Sequence, residues 1–197
     1  MTTAQPTTTQ PPPEEKDHCK FSSDQYHWLI DAGILTTDHR VELIGGQILT
    51  MPPMGDEHGD SIGDLNIWLV QHAGREYVPR CQVTFRLAEG FTPDPDFVLL
   101  RYKEAGYRGE NRPTAADVLL VIEVADSSLS RDLGLKSLAY ARAGVPELWV
   151  ADIPHRQVHR LTQPSPEGYL ERTTAEEEET ISPLLIPNLQ MPVRAAL

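Results

Sequence analysis

The sequence predicts a mixed α/β (α+β) fold in which a mixed β-sheet carries a helix on each face. Short apolar runs with strand character, such as residues 118–124, alternate with two helix-length segments at residues 58–72 and 130–143. The 197 residues, 40% of them hydrophobic, suffice for a single domain with a substantial core. We place this domain at residues 18–197.

Residues 1–17 are rich in Thr, Gln and Pro and end in a short charged run, which predicts a disordered tail. This segment lacks the basic region and the apolar stretch of a signal peptide. The chain shows no run of about 18 apolar residues that would suggest a membrane span. Its two cysteines, Cys19 and Cys81, form neither a CxxC motif nor a disulfide framework. We therefore expect a cytoplasmic protein without a membrane partner.

The first half of the domain contains helix-capping and hairpin signals. Ser22 or Ser23 can cap a short helix that ends near Gly33. Two apolar runs flank Gly45-Gly46, which predicts a two-residue β-hairpin. Ile62, Leu65 and Leu69 share one helical face. The remaining predictions for this half are strands at 41–44, 47–50, 78–87 and 97–100, a helix at 58–72 and a loop at 102–116.

The second half begins with an almost entirely apolar strand at 118–124 and continues into a helix at 130–143. Gly144 matches a helix C-terminal stop. The segment 147–152 is predicted to be a strand, and residues 157–161 and 169–173 to form a further hairpin. Residues 183–189 predict an extended C-terminal segment.

Glu123 interrupts the apolar strand, and burial of a lone carboxylate costs several kcal/mol, roughly, unless it is paired or binds a cation. Asp96, at the start of the preceding strand, could share that cation. The alternatives are that Asp96 is an ordinary turn residue after Pro95 and that Glu123 reaches solvent at a strand end. The occurrence of both carboxylates on successive strands favours a metal-dependent phosphodiesterase site.

Carboxylate oxygens suit Mg²⁺ or Mn²⁺, and the backbone carbonyl of Val124 could add a ligand. Hydrolysis of a phosphodiester needs such an ion to polarise the phosphoryl oxygen and to lower the pKa of a water. The seven histidines show no zinc-binding spacing. The sequence also has no Walker loop, no GxSxG and no GxGxxG.

Lys136 lies on the helix that follows the Glu123 strand, where it could position the attacking water or stabilise developing charge. Its spacing from Asp132 is equally that of an ordinary surface i, i+4 ion pair. Tyr140 lies one turn further on the same face, either as a site neighbour or as a core residue. Glu42 alternates with apolar neighbours, so it belongs either to the site or to the exposed face of a strand. His58 lies near a helix start, where it is either a neighbour of the site or, as is more common there, a capping or packing residue.

The formal net charge of −12 argues against a protein that coats nucleic acid with a basic surface, although it does not exclude a nuclease. The best local candidates for phosphate contact lie in the loop 102–112 and beside it. The alternative is an ordinary charged loop. These candidates are Arg101, Lys103, Arg108 and Arg112.

The order of several short motifs resembles the Uma-two family of restriction-endonuclease-like proteins, a branch of the PD-(D/E)XK nuclease superfamily. The resemblance covers residues 20 to 190, and its specificity comes from the order and spacing of the motifs together. The motifs are Glu-Leu-Ile-x-Gly-x-Ile at 42–48, Met-Pro-Pro at 51–53, His58, Pro-Asp at 95–96, Val-Ile-Glu-Val at 121–124, Asp132, Lys136, Tyr140 and Ala-Gly-Val-Pro-Glu-Leu-Trp-Val at 143–150.

The resemblance implies a restriction-endonuclease-like core with the site at one edge of the sheet. It implies that Asp96 and Glu123 are metal ligands and that Glu42 is a further acidic member of the site. The superfamily lysine would fall at Ala125, a departure that makes Lys136 the matching residue.

The expected function is therefore Mg²⁺- or Mn²⁺-dependent hydrolysis of DNA phosphodiester bonds. Cleavage of two strands favours a homodimer, although the residues themselves do not specify one. Two alternatives stay open. The first is a catalytically silent binding or assembly domain, which the acidic charge and Ala125 favour. The second is a metal-dependent phosphodiesterase that acts on RNA or on small phosphodiesters.

Overall fold

The computed structural model describes residues 18–53, 55–108 and 113–197, so the predicted tail at 1–17 lies outside the described residues. In chain order the helices are α1 (Ser23–Asp31), α2 (Asp56–Gln71), α3 (Leu129–Arg131) and α4 (Ser137–Arg142). The strands are β1 (Val41–Ile44), β2 (Gln47–Thr50), β3 (Tyr77–Cys81), β4 (Phe97–Arg101), β5 (Val118–Ala125), β6 (Glu147–Asp152), β7 (Gln157–Ser165), β8 (Gly168–Glu176), β9 (Thr180–Ile181) and β10 (Met191–Pro192).

A six-stranded mixed sheet with the order β3-β4-β5-β6-β7-β8 forms the centre of the molecule. Strands β5 and β6 are parallel, and the other neighbouring strands are antiparallel. The crossover between β5 and β6 runs through α3 and α4, as a parallel connection requires. All eight residues of β5 are buried, which is typical of a strand covered on both faces.

Each face of the sheet is covered by a helix, and this confirms the predicted architecture. Leu65 and Leu69 of α2 pack on one face with Ile122 and Val124 of β5. On the other face, Tyr140 of α4 packs with Val121 and its neighbours. Glu123 alternates with Ile122 and Val124, so the pleat directs its side chain towards the α4 face.

The hairpin of β1 and β2 lies beside the sheet and is closed by Gly45 and Gly46, as the sequence predicts. Both glycines have positive φ angles, 60° and 80°, which two-residue hairpin turns need. The amide of Leu43 donates to the carbonyl of Thr92, and the amide of Thr92 donates back to Leu43. This pairing holds the hairpin against the chain that leads into β4.

The capping and crossover helices follow from local signals. Ser22 is the N-cap of α1, and its hydroxyl accepts from the amide of Gln25 in a capping box. The segment Asp132–Lys136 between α3 and α4 is a π-helical turn. Such turns frequently occur at functional sites. Both Asp132 and Lys136 belong to this turn.

Two sequence expectations differ from the structure. The strand predicted over 78–87 ends at Cys81, because Gln82 adopts a left-handed backbone with φ of 47° that breaks the ladder. The segment 183–189 is not extended, because turns at 184–185 and 187–188 close through the amides of Ile186 and Leu189. After β10 a short 3₁₀ helix (Val193–Ala196) packs against α2. Within the described ranges, no helix is both long and apolar enough to cross a membrane.

Candidate active site

The strand pairing of β4 and β5 brings Asp96 and Glu123 to the same edge of the sheet. Phe97 pairs with Ile122 in antiparallel register, so Asp96 and Glu123 are the next residues on facing strands. Oδ2 of Asp96 accepts a hydrogen bond from the Val124 amide at 2.8 Å. The Asp96 carboxylate therefore takes the place of a backbone carbonyl of β4 as the acceptor for the Val124 amide, at the end of the β4–β5 ladder.

Lys136 is buried among carboxylates rather than exposed on a helix surface, so the surface ion-pair alternative is wrong. Its side chain is 5% exposed, and its Nζ lies 2.8 Å from Oε1 of Glu123 and 3.3 Å from Oε2 of Glu42. Oδ1 of Asp132 is more distant, at 3.9 Å. A single ammonium thus faces three carboxylates in a region with little access to water.

Tyr140 and Lys136 contact the same oxygen of Glu123. The Tyr140 hydroxyl donates to Oε1 at 2.6 Å, and the Tyr140 ring is fully buried. Glu123 itself is 3% exposed, so the alternative of a strand-end carboxylate reaching solvent is wrong. Because both contacts fall on Oε1, they leave Oε2 of Glu123 for another ligand.

Glu42 is the buried carboxylate that the hairpin contributes. It is 0% exposed, which excludes the alternative of a solvent-facing strand residue. Its Oε2 lies near Lys136 and 3.5 Å from the amide of Asp94. Its Oε1 is buried and has no hydrogen-bond partner among the described residues. An unpaired buried oxygen of this kind is costly, so the site has capacity for one more donor or cation.

Asp132 and His58 line the same acidic pocket. Oδ2 of Asp132 accepts from the Ser128 hydroxyl at 2.5 Å. From α2, Nε2 of His58 lies 3.6 Å from Oδ1 of Asp96. The interaction with Asp96 raises the pKa of His58 although burial lowers it. His58 thus lies at the candidate site, beside Asp96, one of the two predicted carboxylate metal ligands.

The excess of buried negative charge shifts several ionisation equilibria. Burial raises the pKa of Glu123 to about 8, against the attraction of Lys136. Burial also raises the pKa values of Asp132 and Asp94. Burial alone would lower the pKa of Lys136, but the charges of Glu123, Glu42 and Asp132 outweigh it and raise that pKa. A cluster with more carboxylates than cations favours protons or a metal ion.

The groups that could hold a hard cation such as Mg²⁺ or Mn²⁺ are Asp96, Oε2 of Glu123 and the Val124 carbonyl. Across residues 18–53, 55–108 and 113–197, no three His, Cys, Asp or Glu side chains are grouped so that they could hold one ion. The protein part of such a site would therefore be two carboxylates and one backbone carbonyl. Because the N–H and C=O of a strand residue point to the same side, that carbonyl points with the Val124 amide towards Asp96. Mg²⁺ commonly retains several waters and substrate phosphate oxygens beside one or two carboxylates.

Comparison with known proteins identifies the family of the chain. A family model with the description "Putative restriction endonuclease" matches residues 23–194. The chain belongs to the Uma2 family. This is the family that the sequence motifs resemble, and it supports a nuclease-like function.

A solved structure extends the Uma2 assignment to the fold. A crystal structure titled as a "putative nuclease belonging to DUF820" from Anabaena variabilis ATCC 29413 is similar to this chain, with a TM-score of 0.64 and 14% sequence identity. The similarity covers 89% of this chain and 97% of that one. At this identity the likeness shows the fold alone. None of the curated proteins matches the chain.

The Uma2 site opens into a pocket of about 490 Å³ that contains residues which the sequence analysis did not select. Asp94 and Asp126 add carboxylates, and Arg40 and Arg131 add guanidinium groups. The Pro-Asp-Pro-Asp run could have indicated Asp94, but no motif or periodicity pointed to the two arginines, which depend on the hairpin packing.

Three of the four basic loop candidates lie outside this pocket. Arg101, Lys103 and Arg108 do not line it, and Arg112 lies outside the described residues. Nζ of Lys103 forms an ion pair with Oδ1 of Asp117 at 2.6 Å. It also lies 4.8 Å from the centre of the Tyr107 ring.

Proposed function

We propose that this Uma2 protein is a divalent-metal-dependent endonuclease that hydrolyses DNA phosphodiester bonds. The observation that carries the proposal is the contact between Lys136 and Glu123. A buried lysine on a carboxylate, beside the aspartate of the facing strand, combines metal-ligand chemistry with a cationic donor in one place. The family assignment supports nuclease chemistry, and the metal, the substrate and the residue roles are our proposal.

Asp96 and Glu123 would hold Mg²⁺ or Mn²⁺ together with the Val124 carbonyl. When bound, such an ion supplies phosphoryl polarisation and a water of lowered pKa. Contacts from Tyr140 and Lys136 to Oε1 would fix the rotamer of Glu123 and leave Oε2 for the ion. Residues behind a metal ligand commonly set its orientation in this way.

Lys136 would act on charge that develops at the phosphate. Its ammonium has three donors, of which Glu123 and Glu42 occupy two. The third can face the pocket and donate to a nucleophilic water or to a phosphate oxygen. Glu42 would hold the Lys136 ammonium in place. Asp132, in the same π-helical turn as Lys136, would help to orient its side chain.

The decisive experiment incubates the full-length protein with supercoiled plasmid, linear duplex, single-stranded DNA and RNA, each with Mg²⁺, with Mn²⁺ and with chelator. We expect DNA cleavage that needs the metal. It should be lost in Glu123→Gln and Asp96→Asn, which replace a carboxyl group with a carboxamide of nearly the same shape and so remove a metal ligand. Asp64→Asn, on the exposed face of α2, is the matched control and should cut normally.

Other outcomes would assign the protein differently. If the wild type and Glu123→Gln were equally inert on every substrate, the catalytically silent binding domain would be the better description. Cleavage of RNA or of a dinucleotide alone would favour the second alternative. A homodimer, which cleavage of both strands favours, stays a prediction for sedimentation measurements.

A further inference from the structure

The pocket above the carboxylates has a side that the proposed chemistry does not use. Apolar side chains form this side, and all of them are half-buried or exposed in the protein alone. They come from the end of α1, from the turn that follows it and from the chain after β2. The main contributors are Ile30, Leu35, Met51 and Pro52. Apolar surface opposite a few polar groups is typical of a pocket for an organic ligand.

Two arginines lie where this apolar side meets the carboxylates. Arg40 immediately precedes β1 and Arg131 ends α3, and both contact the chain at the end of β2. Nη1 of Arg131 donates to the Thr50 carbonyl at 2.8 Å, while the carbonyl of Arg40 accepts from the amide of Met51 at 2.8 Å. Since Thr50 and Met51 are consecutive residues, the fold brings two guanidinium-bearing residues to one rim of the pocket.

The charges around the pocket indicate that Arg40 and Arg131 could bind an anionic group. The cationic side chains that line the described pocket are Arg40, Arg131 and Lys136, with His58 when it is protonated. Lys136 and His58 already face carboxylates, whereas no ion pair engages either arginine within the described residues. The Nε of Arg131 is buried without a hydrogen-bond partner. Because the pocket contains six carboxyl groups, a phosphate needs these two guanidinium groups as well as a metal.

We propose that the pocket admits a single unpaired nucleotide, with a phosphate on Arg131 and Arg40 and the base against the apolar side, so that the substrate is single-stranded nucleic acid. This inference rests on the proposed function and deepens it. Glu123 and Asp132 are 3% and 2% exposed, so a phosphodiester reaches them only by entering the pocket. A base that is stacked and paired must first leave its duplex, at a cost of a few kcal/mol.

The net charge of −12 agrees with this substrate class. A protein that grips an intact duplex neutralises several phosphates with a basic surface. Single-strand binding instead combines a local positive groove with surface on which bases rest. Two pocket arginines and one apolar side meet that smaller requirement.

Binding without cleavage provides the test. Fluorescence anisotropy is measured on the full-length protein with Ca²⁺ in place of Mg²⁺, using a labelled oligothymidylate and a hairpin duplex of equal length. We expect the single strand to bind at least about tenfold more tightly. Arg131→Gln and Arg40→Gln should each weaken single-strand binding about tenfold, the effect of losing one charge-assisted hydrogen bond. Arg75→Gln, an equal charge change at an exposed site outside the pocket, should not.

A second variant and melting-temperature measurements distinguish a loss of binding from a loss of folding. Arg131→Lys keeps the charge but loses the planar fork, so it should bind between the wild type and Arg131→Gln. If Arg131→Gln failed to fold because Thr50 lost its donor, Arg40→Gln would carry the test.

Equal affinity for single strand and duplex, or arginine variants that bind like the wild type, would overturn the inference. Metal-dependent cleavage of duplex DNA with neutral arginine variants would leave the proposed nuclease function intact and refute only the single-strand proposal. Tight, arginine-dependent binding of the single strand without cleavage of any substrate would support the single-strand proposal and refute the nuclease function.

Discussion

Nζ of Lys136 lies 2.8 Å from Oε1 of Glu123, and both side chains are almost completely buried. The lysine reaches the strand carboxylate from the crossover helix, through the π-helical turn at Asp132–Lys136. Under the proposed function, Lys136 takes the place of the superfamily lysine that the resemblance puts at Ala125. We expect stability and activity to be linked at this contact, because the same ammonium neutralises the carboxylates and lines the pocket.

Replacement of the lysine in Lys136→Met should lower the free energy of unfolding by about 3–5 kcal/mol, because it leaves buried carboxylates without a counter-charge. DNA cleavage should fall by about 10²–10⁴-fold even where the protein remains folded. Urea denaturation at neutral pH measures the first quantity, and single-turnover cleavage measures the second.

A double-mutant cycle with Glu42→Gln separates the charge effect from packing. Once Glu42 is neutral, Lys136→Met leaves one fewer charge uncompensated, so its cost should be smaller in that background. Equal costs in both backgrounds would mean that Lys136 and Glu42 do not interact energetically.

Removal of one hydroxyl in Tyr140→Phe should weaken both the fold and the site. The lost hydrogen bond to Oε1 of Glu123 should cost about 1.5–3 kcal/mol. Cleavage should also fall, and metal affinity should fall by about 10–100-fold, because Glu123 loses part of its orientation. Urea denaturation measures the loss of stability, and Mn²⁺ titration calorimetry measures the loss of metal affinity.

Tyr169→Phe is the matched control. The Tyr169 hydroxyl donates to the Val145 carbonyl at 2.9 Å, away from the pocket. This variant should lose stability without losing metal affinity. If both phenylalanine variants bound Mn²⁺ like the wild type, Tyr140 would be a structural residue only.

The sheet and the proximity of Asp96 and Glu123 were predictable because their signals are local. A continuous apolar run predicts a buried strand, and a carboxylate within it signals a compensated charge, as Glu123 shows. The glycines at 45 and 46 predicted the hairpin for a similar reason, since few residues accept those backbone angles.

Other parts of the site depend on contacts between distant segments. The spacing of Asp132 and Lys136 suits a surface pair as well as a buried one, and only the packing of the crossover helix on the sheet decides between them. Arg40 and Arg131 belong to no motif, and they line the same pocket because each contacts the chain at the end of β2. The break at Gln82 has no equivalent of the Gly45-Gly46 signal, so the strand was predicted too long.

Metal binding should strengthen with increasing pH up to about 8, because the pKa of Glu123 is raised to that value in the metal-free protein. Below it the cation competes with a proton, and binding releases that proton. Mn²⁺ titration calorimetry from about pH 6 to about pH 9 in buffers of different ionisation enthalpy would count the protons released. A flat affinity profile with no proton release would contradict the assignment of Glu123 as a ligand.

The same shift predicts the pH dependence of stability without metal. A carboxyl group whose pKa is raised on folding contributes stability that is complete below its unfolded value of 4.5 and is lost as the pH rises through about 8. The metal-free protein should therefore unfold at lower urea concentration above pH 8 than near neutrality. Glu123→Gln should remove most of this decline, and a decline of unchanged size would assign it to other groups.

Asp152, at the end of β6, should stabilise the fold without contributing to cleavage. It is 1% exposed and accepts from His155 at 2.8 Å, with Gln157 and His159 at 3.2 and 3.3 Å. Burial raises the pKa of Asp152, but these hydrogen bonds together lower it below its ordinary value. Its contribution is therefore present above the unfolded pKa and is lost as the pH falls through the folded one.

Asp152→Asn should accordingly lower stability at neutral pH by about 1–3 kcal/mol and flatten the loss of stability in acid. Urea denaturation over a pH series tests both effects. Cleavage and Mn²⁺ affinity should stay at wild-type values, because Asp152 does not line the pocket. Reduced cleavage in a variant that remained fully folded would mean that this polar cluster is coupled to the Glu123 site through the paired residues Ala125 and Asp152.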